Sequence, residues 1–91
     1  MKYQKLTKCI KLSDVTVPPV FSNSKPKSSK LNKIRNYYTE HGCVDKLITI
    51  NYKNLLLDGY ARYLVLKENN VDVVEAEVIK YLPKKGWGII L

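Results

Sequence analysis

The stretch from Leu55 to Leu66, with the sequence L-L-L-D-G-Y-A-R-Y-L-V-L, constrains the fold of this chain more than any other. Its three leading apolar residues predict a short buried strand, and the Asp58-Gly59 pair that follows predicts a turn. From residue 60 onward the pattern becomes helical. One face of this helix is apolar and comprises Ala61, Leu64 and Val65. The stretch therefore predicts a strand that turns sharply through glycine into a helix.

The N-terminus of that helix is a candidate phosphate-binding corner. Its first backbone N–H groups have no partner within the helix, and the helix dipole is positive there. Arg62 lies in the first turn and points away from the apolar face, where its planar guanidinium could donate two hydrogen bonds to phosphate oxygens. The plainer alternative is that Asp58 is the N-cap, Gly59 lets the turn close and Arg62 is a solvated surface charge. The local pattern leaves both interpretations open.

The charge of the chain favours polyanionic partners. Its 91 residues include 16 Lys and Arg against 8 Asp and Glu, which gives a net charge of +8 and a pI near 9.5. Only Arg35 and Arg62 are arginines, so every other basic residue that carries a full charge is a lysine. An excess of this size in a small domain is typical of proteins that bind nucleic acid or nucleotide phosphates, although lysine also serves solubility.

The length and the hydrophobic content of 45% predict one globular domain over residues 1–91. No apolar run approaches the ~20 residues of a membrane span, and the N-terminus does not have the pattern of a secretory signal. We therefore expect a cytoplasmic protein without membrane association. Cys9, Cys43 and His41 do not have the spacing of metal ligands. No metal site is predicted, and both cysteines are expected to be buried free thiols.

The remaining patterns predict a small α/β domain with a mixed sheet and the element order β-α-β-β-α-β-(β). Strands are predicted where apolar residues alternate with polar ones or form short runs, over residues 8–15, 47–50, 55–57, 73–79 and 87–91. In the first strand, Ile10 and Leu12 are expected to face inward. The polar turn between the second and third runs predicts a hairpin.

A flexible basic loop is predicted over residues 21–30, where F-S-N-S-K-P-K-S-S-K has almost no apolar content. Ser28 or Ser29 is then the predicted N-cap of a helix that runs to about Glu40 and ends at Gly42 in a left-handed conformation. The buried stripe of this helix is expected to comprise Leu31, Ile34 and Tyr38. Lys30 and Lys33 lie off this stripe.

This order and these residues resemble the ParB/sulfiredoxin-like N-terminal domain superfamily, which includes ParB-like nuclease domains. The resemblance covers residues 10–82. It rests on the segments I-K-L-S-D-V-T-V-P-P, E-H-G, L-I-T-I-N, L-L-L-D-G-Y-A-R-Y and V-V-E-A-E-V-I. In this superfamily a D/G-G-x-x-R corner after a strand holds nucleotide phosphates. The resemblance therefore implies nucleotide or phosphate binding at Asp58, Gly59, Tyr60, Ala61 and Arg62.

A second phosphate-contacting element of the superfamily lies at the start of the helix that follows the basic loop. On this sequence it implies contacts from Lys30 and Lys33, with Lys25 and Lys27 as further loop contacts. The chain departs from its relatives directly after Gly59. Sulfiredoxins have their catalytic cysteine there, and ParB partition proteins have a glutamate and a second arginine, whereas this chain has Tyr60 and Ala61. The resemblance thus implies a stand-alone module that holds CTP or ATP, with or without Mg²⁺.

Three functions remain open. The first is a nucleotide- or phosphate-binding module that acts with DNA in a partition, mobile-element or regulatory system. The second is a nuclease or an ATP-dependent phosphotransferase of the same superfamily. This function is less favoured because metal-assisted phosphoryl chemistry needs clustered carboxylates, and of the acidic residues in this sequence only Asp58 lies at the corner. The third is sequence-independent nucleic-acid binding through the lysine-rich surface. The oligomeric state is open, with a homodimer among the alternatives.

Overall fold

A computed structural model describes residues 3–81 of the chain, with side chains described over residues 6–79. The elements are strands β1 (Tyr3–Lys11), β2 (Ile48–Asn51), β3 (Leu56–Asp58) and β4 (Val73–Tyr81), helices α1 (Pro19–Ser22), α2 (Ser28–His41) and α3 (Tyr60–Glu68), and a 3-10 turn over Leu12–Asp14. Except for the added short α1, this is the predicted order. The last predicted strand, over residues 87–91, lies outside the described residues.

The four strands form one mixed sheet with the order β1-β4-β2-β3. β4 pairs antiparallel with β1 and parallel with β2, and β2 pairs antiparallel with β3, which confirms the predicted hairpin. The side chain of Asn51 closes this hairpin, since its Oδ1 accepts hydrogen bonds from the backbone N–H groups of Lys53 at 2.8 Å and Leu55 at 2.9 Å. Parallel strands need a crossover connection, and α3 lies within the one between β2 and β4.

Helix α3 packs between the sheet and α2. Tyr63 and Leu66 belong to the apolar core against the sheet. Ala61 and Val65 instead pack with Ile34 of α2. The largest fully buried side chains are Ile48, Ile50, Leu56 and Val65. Each stabilises the fold by roughly 1.5–3 kcal/mol through apolar burial. The core therefore fixes the N-terminal turn of α3 against both the sheet and α2.

The first strand differs from its prediction at both ends. The pattern predicted a strand over residues 8–15, whereas β1 starts at Tyr3 and the chain turns at Leu12. β1 extends toward the N-terminus because β4 supplies a partner along its whole length, from Tyr3 opposite Tyr81 to Lys11 opposite Val73. Ile10 and Leu12 are buried as predicted, although Leu12 lies in the 3-10 turn.

The predicted basic loop is shorter than residues 21–30. Its start belongs to α1, which proline at the first helical position favours, and its end belongs to α2. Neither Ser28 nor Ser29 is the N-cap of α2; Lys27 occupies that position and makes no side-chain capping bond. The C-terminal prediction is confirmed, since Gly42 has a φ of 73° and donates its N–H to the carbonyl of Tyr38.

Both cysteines are exposed, so the prediction of buried thiols is wrong. Cys9 alternates with the buried Ile10 along β1 and therefore faces away from the core. Cys43 follows the left-handed Gly42 in the connection after α2. None of the helices between residues 3 and 81 combines the length and the apolar character that a membrane crossing requires.

Candidate functional site

The strand–glycine–helix corner forms as predicted, with one change in the roles of its residues. Asp58 is the last residue of β3, and Gly59 rather than Asp58 occupies the N-cap position of α3. Gly59 has no side chain to accept from the first turn, and the first intrahelical bond runs from the N–H of Tyr63 to the carbonyl of Gly59 at 2.8 Å. The positive end of the α3 dipole is therefore not neutralised by a capping side chain.

Glycine is required at position 59 for two independent reasons. Its φ of +92° lies in the region that L-amino acids with a Cβ rarely adopt. A Cβ at this position would also approach the Cα of Ile48 to 3.1 Å and the Cγ2 of Ile48 to 3.3 Å. The corner thus sits directly on the first residue of β2, and this close approach sets where α3 begins.

Arg62 makes a two-bonded ion pair with Asp45, a residue in the connection between α2 and β2. Its Nε donates to Oδ1 of Asp45 at 2.8 Å and its Nη2 donates to Oδ2 at 3.1 Å. The side chain of Arg62 is only 17% exposed and that of Asp45 is 34% exposed. The interpretation of Arg62 as a solvated surface charge is therefore wrong, because most of its side chain is covered and two of its N–H groups bind Asp45.

The pair changes the protonation equilibria of both groups. The hydrogen bonds from Arg62 lower the pKa of Asp45 below its ordinary value, and the positive charge of Arg62 contributes in the same direction. The hydrogen bonds to Asp45 raise the pKa of Arg62, and the carboxylates of Asp45 and Asp58 add to this effect through their charge. At neutral pH the site therefore contains a full guanidinium charge facing a full carboxylate charge.

Lys30 and Lys33 of α2 line the same cavity as Arg62 of α3. The cavity has a volume of about 250 Å³. Its wall comprises Lys30, Lys33, Ile34, Tyr37, Asp45 and Arg62. Two elements that are far apart in the sequence are thus brought together at one place, and three of the predicted site residues meet there. Within residues 6–79, neither lysine forms an ion pair with a carboxylate.

The other predicted site residues lie elsewhere. Tyr60 is half-buried and stacks on Phe21 with ring centroids 5.5 Å apart and on Tyr63 with centroids 6.2 Å apart. Ala61 is 4% exposed and packs against α2. Lys25 and Lys27 are exposed on the connection before α2 and do not belong to the wall of the cavity. Tyr60 and Ala61 therefore contribute packing and shape to the corner.

Sequence reasoning missed the role of Asp45. It lies in a short polar connection without periodicity, so no pattern links it to a residue on a distant helix. The available signal was the presence of only two arginines in a lysine-rich chain. Arginine is the basic residue suited to two-bonded ion pairs, and each of the two arginines binds a carboxylate in this way. Arg35 pairs with Glu68 of α3 through contacts of 2.8 and 3.2 Å. Over the described part of the chain, no group of three or more His, Cys, Asp or Glu side chains is arranged to hold a metal ion.

No protein-family model matches this sequence, and a comparison with curated proteins finds no match. The fold is nevertheless similar to solved structures. Two structures of a pNOB8-like ParB N-domain, the first of them in a C2221 form, match it with TM-scores of 0.77 and 0.75 at 12% sequence identity. Each match covers 90% of this chain, which spans 32% and 30% of the two solved chains. The chain therefore has the ParB N-domain fold that its sequence predicted.

Proposed function

We propose that this chain is a ParB-like module that binds the phosphate groups of a nucleotide in the cavity between α2 and α3. The observation that supports this proposal best is the meeting of Lys30 and Lys33 of α2 with Arg62 of α3 around one cavity. Three positive side chains against the single carboxylate of Asp45 leave the wall with a net positive charge, which attracts a polyphosphate. The module would act in a partition, mobile-element or regulatory system, as a ParB-like fold suggests.

The donors in the cavity suit phosphate. An arginine has five N–H donors, and the pair with Asp45 uses one on Nε and one on Nη2. One Nη2 donor and both Nη1 donors of Arg62 are therefore available to a ligand. Lys30 and Lys33 are exposed and supply mobile point charges. Arg62 would thus define the direction of the bound phosphate, and the lysines would neutralise its remaining charge.

The size of the cavity indicates which part of a nucleotide it takes. Its volume of about 250 Å³ lies below the roughly 300–1,000 Å³ typical of sites that enclose a whole small molecule. We therefore expect the phosphate tail of CTP or ATP to occupy the cavity, with the base lying outside it. Magnesium, where present, would be held mainly by the phosphates themselves, as is usual for this ion.

Isothermal titration calorimetry with CTP, ATP, the corresponding diphosphates and inorganic triphosphate tests this function. If the phosphate tail provides most of the affinity, inorganic triphosphate binds about as tightly as the nucleoside triphosphates. Removing one charge-assisted contact typically costs about 1.5–3 kcal/mol, so Lys33→Ala and Arg62→Ala should each weaken binding by about tenfold or more. Lys53→Ala removes the same charge from the exposed β2–β3 turn and should change little. Absence of binding below millimolar concentration would refute the proposal.

Sequence-independent binding to nucleic acid is a second candidate function, supported by the distribution of charge. Both arginines are paired, whereas none of the lysines in residues 6–79 forms an ion pair with a carboxylate. Unpaired surface lysines on a chain of net charge +8 release counterions when they neutralise nucleic-acid phosphates, so affinity falls steeply with salt. A Lys25/Lys27/Lys30 triple alanine variant would lose this binding, whereas Arg62→Ala would retain it. Fluorescence anisotropy with labelled DNA over a salt series separates the two functions.

A further inference from the structure

Asp45 contacts only one edge of the Arg62 guanidinium. The two hydrogen bonds, from Nε at 2.8 Å and from Nη2 at 3.1 Å, both lie on the side edge of the planar group. The opposite end, formed by Nη1 and the second N–H of Nη2, has no hydrogen bond to any of the described residues. Asp45 and Arg62 both line the cavity that Lys30 and Lys33 also line. The ion pair is therefore part of the cavity wall.

This arrangement has two physical effects of opposite sign on an incoming anion. The carboxylate of Asp45 repels a phosphate electrostatically, which weakens binding. The same carboxylate holds a long, flexible side chain in one orientation before the ligand arrives, so less rotamer entropy is lost on binding. The geometry favours the second effect, because the two carboxylate oxygens of Asp45 bind the side edge and leave the end edge without a hydrogen bond to any described residue.

We propose that Asp45 is the positioning residue for phosphate binding, and that it holds the side edge of Arg62 so that the end edge is presented to the phosphate beside Lys30 and Lys33. This inference rests on the proposed phosphate-binding function. It assigns to Asp45 an effect contrary to its charge: removal of this carboxylate makes the cavity more positive and yet weakens the binding of an anion.

The low exposure of Arg62 supports this role. The side chain of Arg62 is only 17% exposed, and Asp45 supplies the hydrogen bonds at its side edge that water would otherwise make. The connection that contains Asp45 leads directly into β2, whose first residue, Ile48, touches Gly59. The orientation of Arg62 is thus linked to the same strand that sets the start of α3.

The test is a calorimetric titration of inorganic triphosphate into the wild-type chain and three variants, Asp45→Ala, Asp45→Asn and Asp14→Ala. Asp45→Ala removes the acceptors and should weaken binding by about tenfold, the cost of one lost orienting contact. Asp45→Asn keeps one oxygen acceptor without the charge and should bind within about threefold of wild type. Asp14→Ala removes an exposed carboxylate from the 3-10 turn and controls for net charge. All titrations are made at a temperature at which circular dichroism shows every variant folded.

The side-chain Nε–H signal of Arg62 in ¹⁵N NMR gives a second readout that does not depend on the ligand. It should be sharp and slowly exchanging in the wild type and in Asp45→Asn, and broadened in Asp45→Ala. Unchanged or tighter triphosphate binding by Asp45→Ala would overturn the positioning role, as would equal losses in the alanine and asparagine variants. Failure of the wild-type chain to bind triphosphate is a different result and would overturn the proposed function together with this inference.

Discussion

Replacement of Gly59 by alanine should destabilise the domain by about 2–5 kcal/mol. Two terms contribute to this value. A residue with a Cβ at a φ of +92° costs about 1–2 kcal/mol relative to glycine. The new Cβ would also lie 3.1 Å from the Cα of Ile48, and because a backbone atom cannot rotate away, such overpacking costs about 1–3 kcal/mol. For a chain of this size, whose total stability is on the order of 5–14 kcal/mol, the loss is severe.

Gly42 provides the matched control for this substitution. It also has a positive φ, +73°, but a Cβ there would meet nothing within 4 Å. Gly42→Ala therefore reports the backbone term alone, about 1–2 kcal/mol. The difference between the two variants isolates the contact with Ile48. Urea denaturation followed by circular dichroism measures both losses, and each 1 kcal/mol should also lower Tm by about 4–8 °C. Equal losses in the two variants would refute the claim that β2 sets the start of α3.

Two further predictions concern the core and the ion pair. Leu56→Ala, at a position that is fully buried, should cost about 2–5 kcal/mol in urea denaturation, whereas Val20→Ala, at a position that is 72% exposed, should stay within about 0.5 kcal/mol. Arg62 lowers the pKa of Asp45 in the folded chain, so the ionised carboxylate of Asp45 stabilises the fold. This stability is fully present above the unfolded pKa of about 3.9. It is lost as the pH falls through the lower pKa of the folded state. The unfolding free energies of wild type and Asp45→Asn should therefore converge below about pH 4, and a difference that persists unchanged at lower pH would contradict this account.

Local patterns predicted those parts of the fold that local interactions determine. The alternation around Ala76 predicted β4, the glycine at position 42 predicted the end of α2, and the apolar runs around Asn51 predicted the hairpin. In each case one short segment contains both the signal and the structure. The corner at Gly59 belongs to this group as well, since the strand, the turn and the helix are consecutive there.

The features that sequence reasoning missed depend on distant partners. The first half of β1 contains few apolar residues, and it is a strand because β4 pairs with it up to Tyr3. Helix α1 lies where a loop was predicted, and its Phe21 stacks on Tyr60 of α3. The pairing of Arg62 with Asp45 joins an early turn of a helix to a connection before β2. Such contacts require the tertiary structure before they can be recognised.

The sheet order has a consequence for how this chain folds as it is synthesised. β1 leaves the ribosome before the other described strands, but its partner in the sheet is β4, the last of them. The β2–β3 hairpin and α3 can form earlier from neighbouring residues, whereas pairing across such a sequence separation is slow. A nascent chain that stops before Val73 therefore exposes the whole backbone edge of β1. We expect chaperones that hold extended segments to contact residues 3–11 until β4 has been made.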